Sequence, residues 1–336
     1  MDKAFTNYKV DDRSFISYIK REIHMQATAT EFTEEQVGKI DIIVSELSSN
    51  LIKHAGGGEV LYRITEDLSD TVFEIVCIDR GPGMDTLKMM RDGASTTLTL
   101  GHGLGAIERL SSFSQIYSTP GTGTIIYSVV STKEEKFERK QSPALSVRSL
   151  CICKPRETLC GDGYRVRRSE NDVRIFFGDG LGHGEHAKTA VDTARNFFFE
   201  CNESEPVEII RLMHEKVRRT RGLVASLAIF DKKSAQWKIC GVGNIQVRMY
   251  TGIEYKNYMS YNGTIGLNIP NSMKESVFPI EKNQHLVMCS DGIKTRWDMN
   301  QYPSIFKYDN TIFAAALYRD FSRGNDDASV LIAKVS

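Results

Sequence analysis

The 336-residue chain has no excess of either charge, with 43 Lys and Arg set against 43 Asp and Glu. Without a global field, nucleic acid and anionic membranes are excluded as partners held by bulk electrostatics, and any handling of anionic groups must be local. Long apolar runs are also missing. None approaches the roughly 18 residues that a membrane-crossing helix requires, and the start, MDKAFTNYKVDDR, mixes charges where a secretory leader would not. The cysteines are seven, an odd number at irregular spacing, which suits free thiols in a reducing cytoplasm better than a disulfide framework. Cys151 and Cys153 have no second pair at zinc-finger spacing and read as two buried strand residues. Repeats and low-complexity tracts are absent.

What is present is the composition of a soluble globular protein, 41% hydrophobic and 26% charged, in a chain too long for one ordinary core. Two domains are expected. The stretch STKEEKFERKQSP, 131–143, is charged, nearly free of apolar residues and closed by a proline. The expected organisation is therefore a domain over 1–132, a linker over 133–143 and a second domain over 144–336.

In the first half, FTEEQVGKIDIIVSELSSNLIKHAGGG reads as a helix with both ends marked. Thr33 and Gln36 form a capping box, Glu34 and Glu35 fill the first turn, and Gly56–Gly58 stop it. Val37, Ile40, Val44, Leu47 and Leu51 make a core-facing stripe. Glu46 and Asn50, four apart, share one face beside that stripe, where they hold a water, a hydroxyl or a hydrated magnesium, or simply edge a solvated helix. Next, TVFEIVCIDRGPGMD is a buried strand that delivers Asp79 into a Gly81-Pro82-Gly83 turn, placed to accept from an amino group pressed against the backbone. A threonine-rich stretch leads into GHGLGA, with Gly101, Gly103 and Gly105 opening an amphipathic helix, where backbone amides can cradle phosphates. TPGTGTIIYSVV adds a further glycine turn, Gly121-x-Gly123, running into a strand.

Gly101, Gly103 and Ala106 also satisfy a dinucleotide fingerprint. That motif needs a buried strand before it and an acidic residue about 20 positions later. STTLTL is a poor buried strand, and no acid occurs between Glu108 and Glu134. The four boxes, in this order, instead resemble the Bergerat-fold ATPases, and the short length with MRDGASTTLTLGHGLGAIERL resembles the RsbT/RsbW-like anti-sigma serine kinases among them. The resemblance implies that Asn50 ligates Mg²⁺, that Asp79 binds the adenine amino group beside Gly81 and Gly83, and that Gly101, Gly103 and Gly105 wrap the phosphates of ATP, with Thr124 a further cofactor contact. Glu46 is implied as the catalytic base that orients a serine or threonine hydroxyl for in-line attack, a reaction that needs positioning and charge neutralisation above all.

In the second half a buried strand, Val173 to Phe177, delivers Asp179 into GDGLGHGEHA, and a helix follows from about Glu185 with Ala187, Ala190, Ala194 and Phe197 turned inward. A carboxylate repels a phosphate but holds a divalent cation that in turn holds one. Other aspartates arrive at comparable places: Asp162 in a turn between two strands, Asp291 at the end of HLVMCSDGIK, and Asp326 and Asp327 before the last strand. Such carboxylates suit a pair of hard Mg²⁺ or Mn²⁺ ions about 4 Å apart. His183 and His186 have no third zinc ligand at suitable spacing and read as helix-start residues.

The phrases CGDGY, GDGLGHGEHA, RGLVASLAIFD, GVGNIQVRM, NGTIGL, MCSDGIK and NDDASVLIAKV, in family order, resemble the SpoIIE/RsbX type of metal-dependent serine/threonine phosphatase. That resemblance implies Asp179 as the bridging ligand and catalytic centre, the Gly180 carbonyl as an added ligand, and Asp162, Asp291 and Asp326 completing the set, Asp326 preferred over Asp327. The expected fold class is α+β, a Bergerat-fold sandwich with helices on one face of a mixed sheet followed by an αββα sandwich. The expected function is a cytoplasmic partner-switching protein, kinase and phosphatase in one chain, acting on a small STAS-type antagonist and in the orbit of a sigma factor. The alternatives are a phosphatase regulated by a nucleotide-binding domain that transfers nothing, and a sigma-factor or antagonist binding module fused to a phosphatase.

Overall fold

The computed structural model describes residues 3–66, 70–84, 101–133 and 144–336. The expected linker, apart from Lys133, and the threonine-rich stretch before Gly101 lie outside the described residues. The chain divides into two compact units, Lys3–Gln141 with Lys307–Ala316, and Ser142–Phe306 with Leu317–Ser336. No helix among the described residues is long and apolar enough to cross a membrane.

In the first unit β1 (Thr6–Val10) leads to α1 (Arg13–Thr28), started by Asp12 accepting from the Ser14 amide at 2.6 Å. α2 (Glu34–Asn50) opens on the capping box: Gln36 N donates to Thr33 Oγ1 and Thr33 N donates to Gln36 Oε1. Val37, Ile40, Val44, Leu47 and Leu51 are all buried, so the apolar stripe is the face that meets the core. The helix does not stop at Asn50. Leu51–Ala55 form one π-helical turn, closed by Gly56 at φ 71°, a left-handed position that glycine takes without strain.

Strands β2 (Gly58–Glu66), β3 (Thr71–Ile78), β4 (Phe113–Thr119) and β5 (Gly123–Ser131) complete a five-stranded sheet in the order β1-β2-β3-β5-β4, with α3 (Gly101–Leu110) between β3 and β4 in the chain. The pairings are all antiparallel, which corrects the mixed sheet that the resemblance implied. β2 and β3, and likewise β4 and β5, are consecutive strands that double back on each other, and β5 enters between β3 and β4. Ile19 and Ile23 of α1, Ile40 and Leu47 of α2 and Ile107 of α3 form one core with Val60, Tyr62, Ile75 and Val130 of the sheet.

The second unit is built on two five-stranded antiparallel sheets. One contains β7 (Asp162–Arg168), β8 (Asp172–Gly180), β9 (Leu223–Asp231), β10 (Gln236–Val242) and β13 (Ser276–Pro279), in the order β13-β10-β9-β8-β7. The other contains β6 (Leu145–Ile152), β11 (Gln246–Thr251), β12 (Glu254–Tyr258), β14 (His285–Cys289) and β15 (Ala328–Val335), in the order β12-β11-β14-β15-β6. Asp162 thus begins a strand rather than standing in a turn. Cys151 is buried in β6, whereas Cys153 lies just beyond the strand and is half-buried, so only the first is a strand-core residue.

α4 (Glu185–Glu200) and α5 (Pro206–Val217) cover the first sheet, and α6 (Asn310–Phe321) precedes β15. α4 buries Ala187, Ala190, Val191, Ala194 and Phe198, with Phe197 only partly buried beside them. Its small residues let it approach β7 and β8 closely. A Cβ on Gly163 would stand 2.7 Å from Val191 Cγ1, and one on Gly180 would stand 2.9 Å from the Ala187 Cα. The glycines around the aspartates are therefore the floor on which α4 rests.

Candidate functional sites

The first site lies where α2, α3 and the loop after β3 meet. Glu46 and Asn50 are half-buried at the end of α2. A Cβ on Gly103 would collide with the Glu46 carboxylate and stand 3.9 Å from Asn50 Nδ2, so this glycine lets the first turn of α3 lie directly on the acid and the amide. Gly101 and Gly105 are also residues of α3, which begins at Gly101 rather than after the glycines. Their backbone amides belong to the opening turns of that helix, the end that attracts anions.

Asp79 follows β3 directly. Its Oδ1 accepts from Gly81 N at 2.8 Å and from Thr124 N at 3.0 Å, while Oδ2 makes no hydrogen bond among the described residues. The carboxylate is thus aimed by two backbone donors with one oxygen left to accept. The glycines make room for it. At Gly83, φ is 65° and a Cβ would strike the Thr119 carbonyl; at Gly123, φ is 87° and a Cβ would strike the Asp79 carbonyl. A Cβ on Gly81 would stand 2.8 Å from that of Ala55, so the π-helical turn reaches this loop. The Thr124 hydroxyl shares a 3.0 Å hydrogen bond with Ser118 Oγ, and Met84 N donates to the same serine at 2.8 Å, fixing the loop against the β4–β5 turn. Ser118 and Ala55 carry no motif signal and are found only in the structure. A cradle of glycines, an acceptor and a half-buried acid–amide pair fit a nucleotide with its cation.

The second site lies at one end of the sheets in the second unit. Asp162 and Asp179 sit directly opposite each other across β7 and β8. Asp162 is 6% exposed; Ser290 Oγ donates to its Oδ2 at 2.7 Å, and its Oδ1 is buried without a partner. Burial first, then the charges of Asp327 and Asp291, push its carboxyl up to about 7. The Asp179 carboxylate makes no hydrogen bond among the described residues. Its carboxyl is pushed up to about 10 by burial, followed by Asp162, Asp291, Asp326 and Asp327. Like charges opposite one another on a ladder are destabilising unless something of opposite sign offsets them.

The remaining aspartates differ in what holds them. Asn244 Nδ2 donates to Asp291 Oδ2 at 3.0 Å, and Arg323 Nε donates to the Asp291 carbonyl at 2.6 Å. Asp326 is half-buried and accepts from Asp327 N at 3.0 Å. Asp327 is committed to the backbone, with Lys154 N donating to Oδ1 at 2.7 Å and Gly161 N to Oδ2 at 2.9 Å. Among the described residues no three Asp, Glu, His or Cys side chains are yet grouped tightly enough to hold an ion as they stand. The donor chemistry nevertheless fits a hard divalent cation: an orphaned buried carboxylate oxygen on Asp162 and a second carboxylate, that of Asp179, without hydrogen-bond partners among the described residues. His183 Nδ1 is 2.8 Å from Glu157 Oε1, and both His183 and His186 are exposed. Ser290 and Asn244 orient the aspartates, and although both lie inside the phrases MCSDGIK and GVGNIQVRM, only the fold gives them that role. Arg221 is likewise visible only in the structure; its exposed guanidinium would stand 3.1 Å from a Cβ on Gly182, in the loop after Asp179.

Comparison with known proteins agrees with this division. Residues 16–128 match the model of the histidine kinase-like ATPase domain, and residues 169–336 match that of stage II sporulation protein E (SpoIIE). The serine/threonine-protein kinase RsbT of Bacillus subtilis is 35% identical over 92 residues, 27% of this chain and 69% of RsbT. The phosphoserine phosphatase RsbX of the same bacterium is 24% identical over 139 residues, 41% of this chain and 69% of RsbX. A solved structure of RsbX in complex with magnesium shares the fold, with a TM-score of 0.52 and 18% identity over 59% of this chain and 98% of that one. The chain therefore belongs to the SpoIIE family of serine/threonine phosphatases through its C-terminal half, and joins to it an RsbT-like domain of the histidine kinase-like ATPases.

Proposed function

We propose that this chain is a partner-switching protein of the cytoplasm that both adds and removes phosphate on a serine or threonine of a small STAS-type antagonist, with a sigma factor or similar switch protein downstream. The two activities sit in domains 1–132 and 144–336, joined through 133–143. The observation that carries the proposal is that each unit gathers the acid its reaction needs: Glu46 against Gly103 and Asn50 in one, Asp179 among four other aspartates in the other.

In the first domain Asp79 Oδ2 would accept from the adenine amino group, the α3 amides would hold the phosphates of ATP, and Asn50 would ligate Mg²⁺. Glu46 accepts the proton of the incoming hydroxyl, and the Gly103 backbone, by lying on it, fixes its carboxylate. In the second domain Asp162, Asp179, the Gly180 carbonyl, Asp291 and Asp326 would hold two Mg²⁺ or Mn²⁺ ions. When bound, such ions lower the pKa of water and neutralise a phosphate ester. The side chains of the chain do the rest: Ser290 and Asn244 hold Asp162 and Asp291 in place, and Arg221 offers a cation at the mouth.

Radiolabelled ATP, Mg²⁺ and a candidate antagonist test both halves. Label should accumulate on the antagonist with the Asp179→Ala variant and vanish with Glu46→Ala. Hydrolysis of p-nitrophenyl phosphate with Mn²⁺ should be lost in Asp179→Ala and retained in Glu46→Ala. If Asp179→Ala transfers no label, the first domain binds nucleotide as a regulator or holds a partner, and the kinase proposal fails.

A further inference from the structure

Beside Asp291 the second unit has a cavity of about 370 Å³ lined by Lys294, Thr295, Arg296, Asp320, Phe321 and Arg323. Its two walls grow out of the aspartate site. One wall is the chain immediately after Asp291 and the other is the chain immediately before Asp326. They are stitched together by Lys294 N donating to the Phe321 carbonyl and Arg323 N donating to the Gly292 carbonyl, each at 2.8 Å, with a bridge between Ile293 and Ser322.

The charge of this cavity is one-sided. Lys294, Arg296 and Arg323 are exposed, and none of them is ion-paired with a carboxylate among the described residues. Arg323 spends its Nε on a carbonyl, that of Asp291. The one carboxylate in the lining, Asp320, is already taken by Arg319 Nε and Nη2 at 2.9 Å and by Tyr302 Oη at 2.8 Å, so it does not neutralise the three cations. In a chain whose charges balance overall, three cations without an ion-pair partner line one hollow beside the aspartates, and such a local cluster attracts an anionic group. Phe321 adds an apolar wall, which suits a peptide better than a bare ion.

We propose that this cavity docks an acidic segment flanking the phosphorylated residue of the protein substrate. The proposal rests on the phosphatase reading above. Lys294 lies three positions after Asp291, and Arg323 three before Asp326. The chain turns just after Asp291, with Ile293 N donating to the Ser290 carbonyl at 3.1 Å, and three residues span at most roughly 10 Å, so the acids that reach the cavity stand within about three to four residues of the phosphoserine. The cations there act on the substrate's flank, while the phosphate itself is left to the aspartates.

The test uses the full chain with Mn²⁺, p-nitrophenyl phosphate, and two phosphoserine peptides that differ only in carrying Asp/Glu or Asn/Gln three to four residues from the phosphoserine. The wild type should prefer the acidic peptide in kcat/KM by about tenfold, the sum of a few weak exposed charge pairs, and the preference should shrink with added salt. Lys294→Glu with Arg296→Glu should erase the preference through KM and leave p-nitrophenyl phosphate turnover unchanged. Equal use of the two peptides by the wild type overturns the proposal, and so does a preference that survives charge reversal. A fall in p-nitrophenyl phosphate turnover equal to that for the acidic peptide overturns it too, since the cations would then serve the phosphate. Absence of any turnover by the wild type is a different failure, which overturns the phosphatase reading first and this proposal with it.

Discussion

At the scale of single residues, the aspartate pair across β7 and β8 makes the sharpest claim about stability. Asp179 has its carboxyl raised in the folded protein by burial and by four like charges. Stabilisation tied to its proton is therefore complete below its ordinary value of 3.8 and decays as pH rises toward about 10. With divalent ions chelated, the wild type should lose stability between pH 5 and pH 9. Asp179→Asn should melt higher than the wild type at pH 8 and show a flatter pH profile, while gaining nothing from added Mn²⁺; thermal melts with and without a chelator measure all of this. Residues like this one were legible because chemistry limits the choice: a strand-end Asp followed by glycine, or a glycine at φ 65° or 87°, admits few substitutes. Ser290, Asn244 and Arg221 were not legible. A serine, an asparagine or an arginine in a loop has many ordinary uses, and only the fold brings these to Asp162, Asp291 and Gly182.

At the scale of elements, α2 shows both what patterning reveals and where it stops. Its start was readable because a capping box is a short-range arrangement, and Gln36 does more than cap: its Nε2 also donates to the Ser131 carbonyl at 3.2 Å, tying the helix to the end of β5. Thr33→Ala should cost about 1 kcal/mol and lower Tm by a few degrees. Gln36→Ala should cost more, because it removes the tie as well as the box; urea melts of the two variants check the order. The π-helical turn at Leu51–Ala55 was hidden, since the apolar stripe runs on to Leu51 with unchanged spacing and nothing local distinguishes a wider turn. The start of α3 was hidden for a related reason. Glycine is a poor helix former, so three of them read as a turn, yet Gly101, Gly103 and Gly105 are helical where a side chain at 103 would have struck Glu46. Strand direction in the first sheet also escaped the sequence, because β3 and β5 are buried almost throughout, a pattern that parallel strands show more often than antiparallel ones.

At the scale of the whole molecule, the division into two chemistries was readable from motif order, and the thiol content confirms how tightly each unit is packed. Six of the seven cysteines are buried, and Cys153 alone is half-buried, with a thiol lowered from its usual range by a hydrogen bond from Cys160. In the folded protein Ellman's reagent should label one thiol quickly, at Cys153, and guanidinium should release the other six; prompt labelling of two or more would contradict the packing. The covalent union of the two units has a further effect that neither site shows alone. Were both activities to act on one partner, as proposed, ribosomes would deliver the opposing catalysts in a ratio of one to one, and doubling expression would double both rates together. Steady-state occupancy of that partner's hydroxyl would then be set by the quotient of two turnover rates and by ATP supply, insulated from noise in how many copies a cell happens to make.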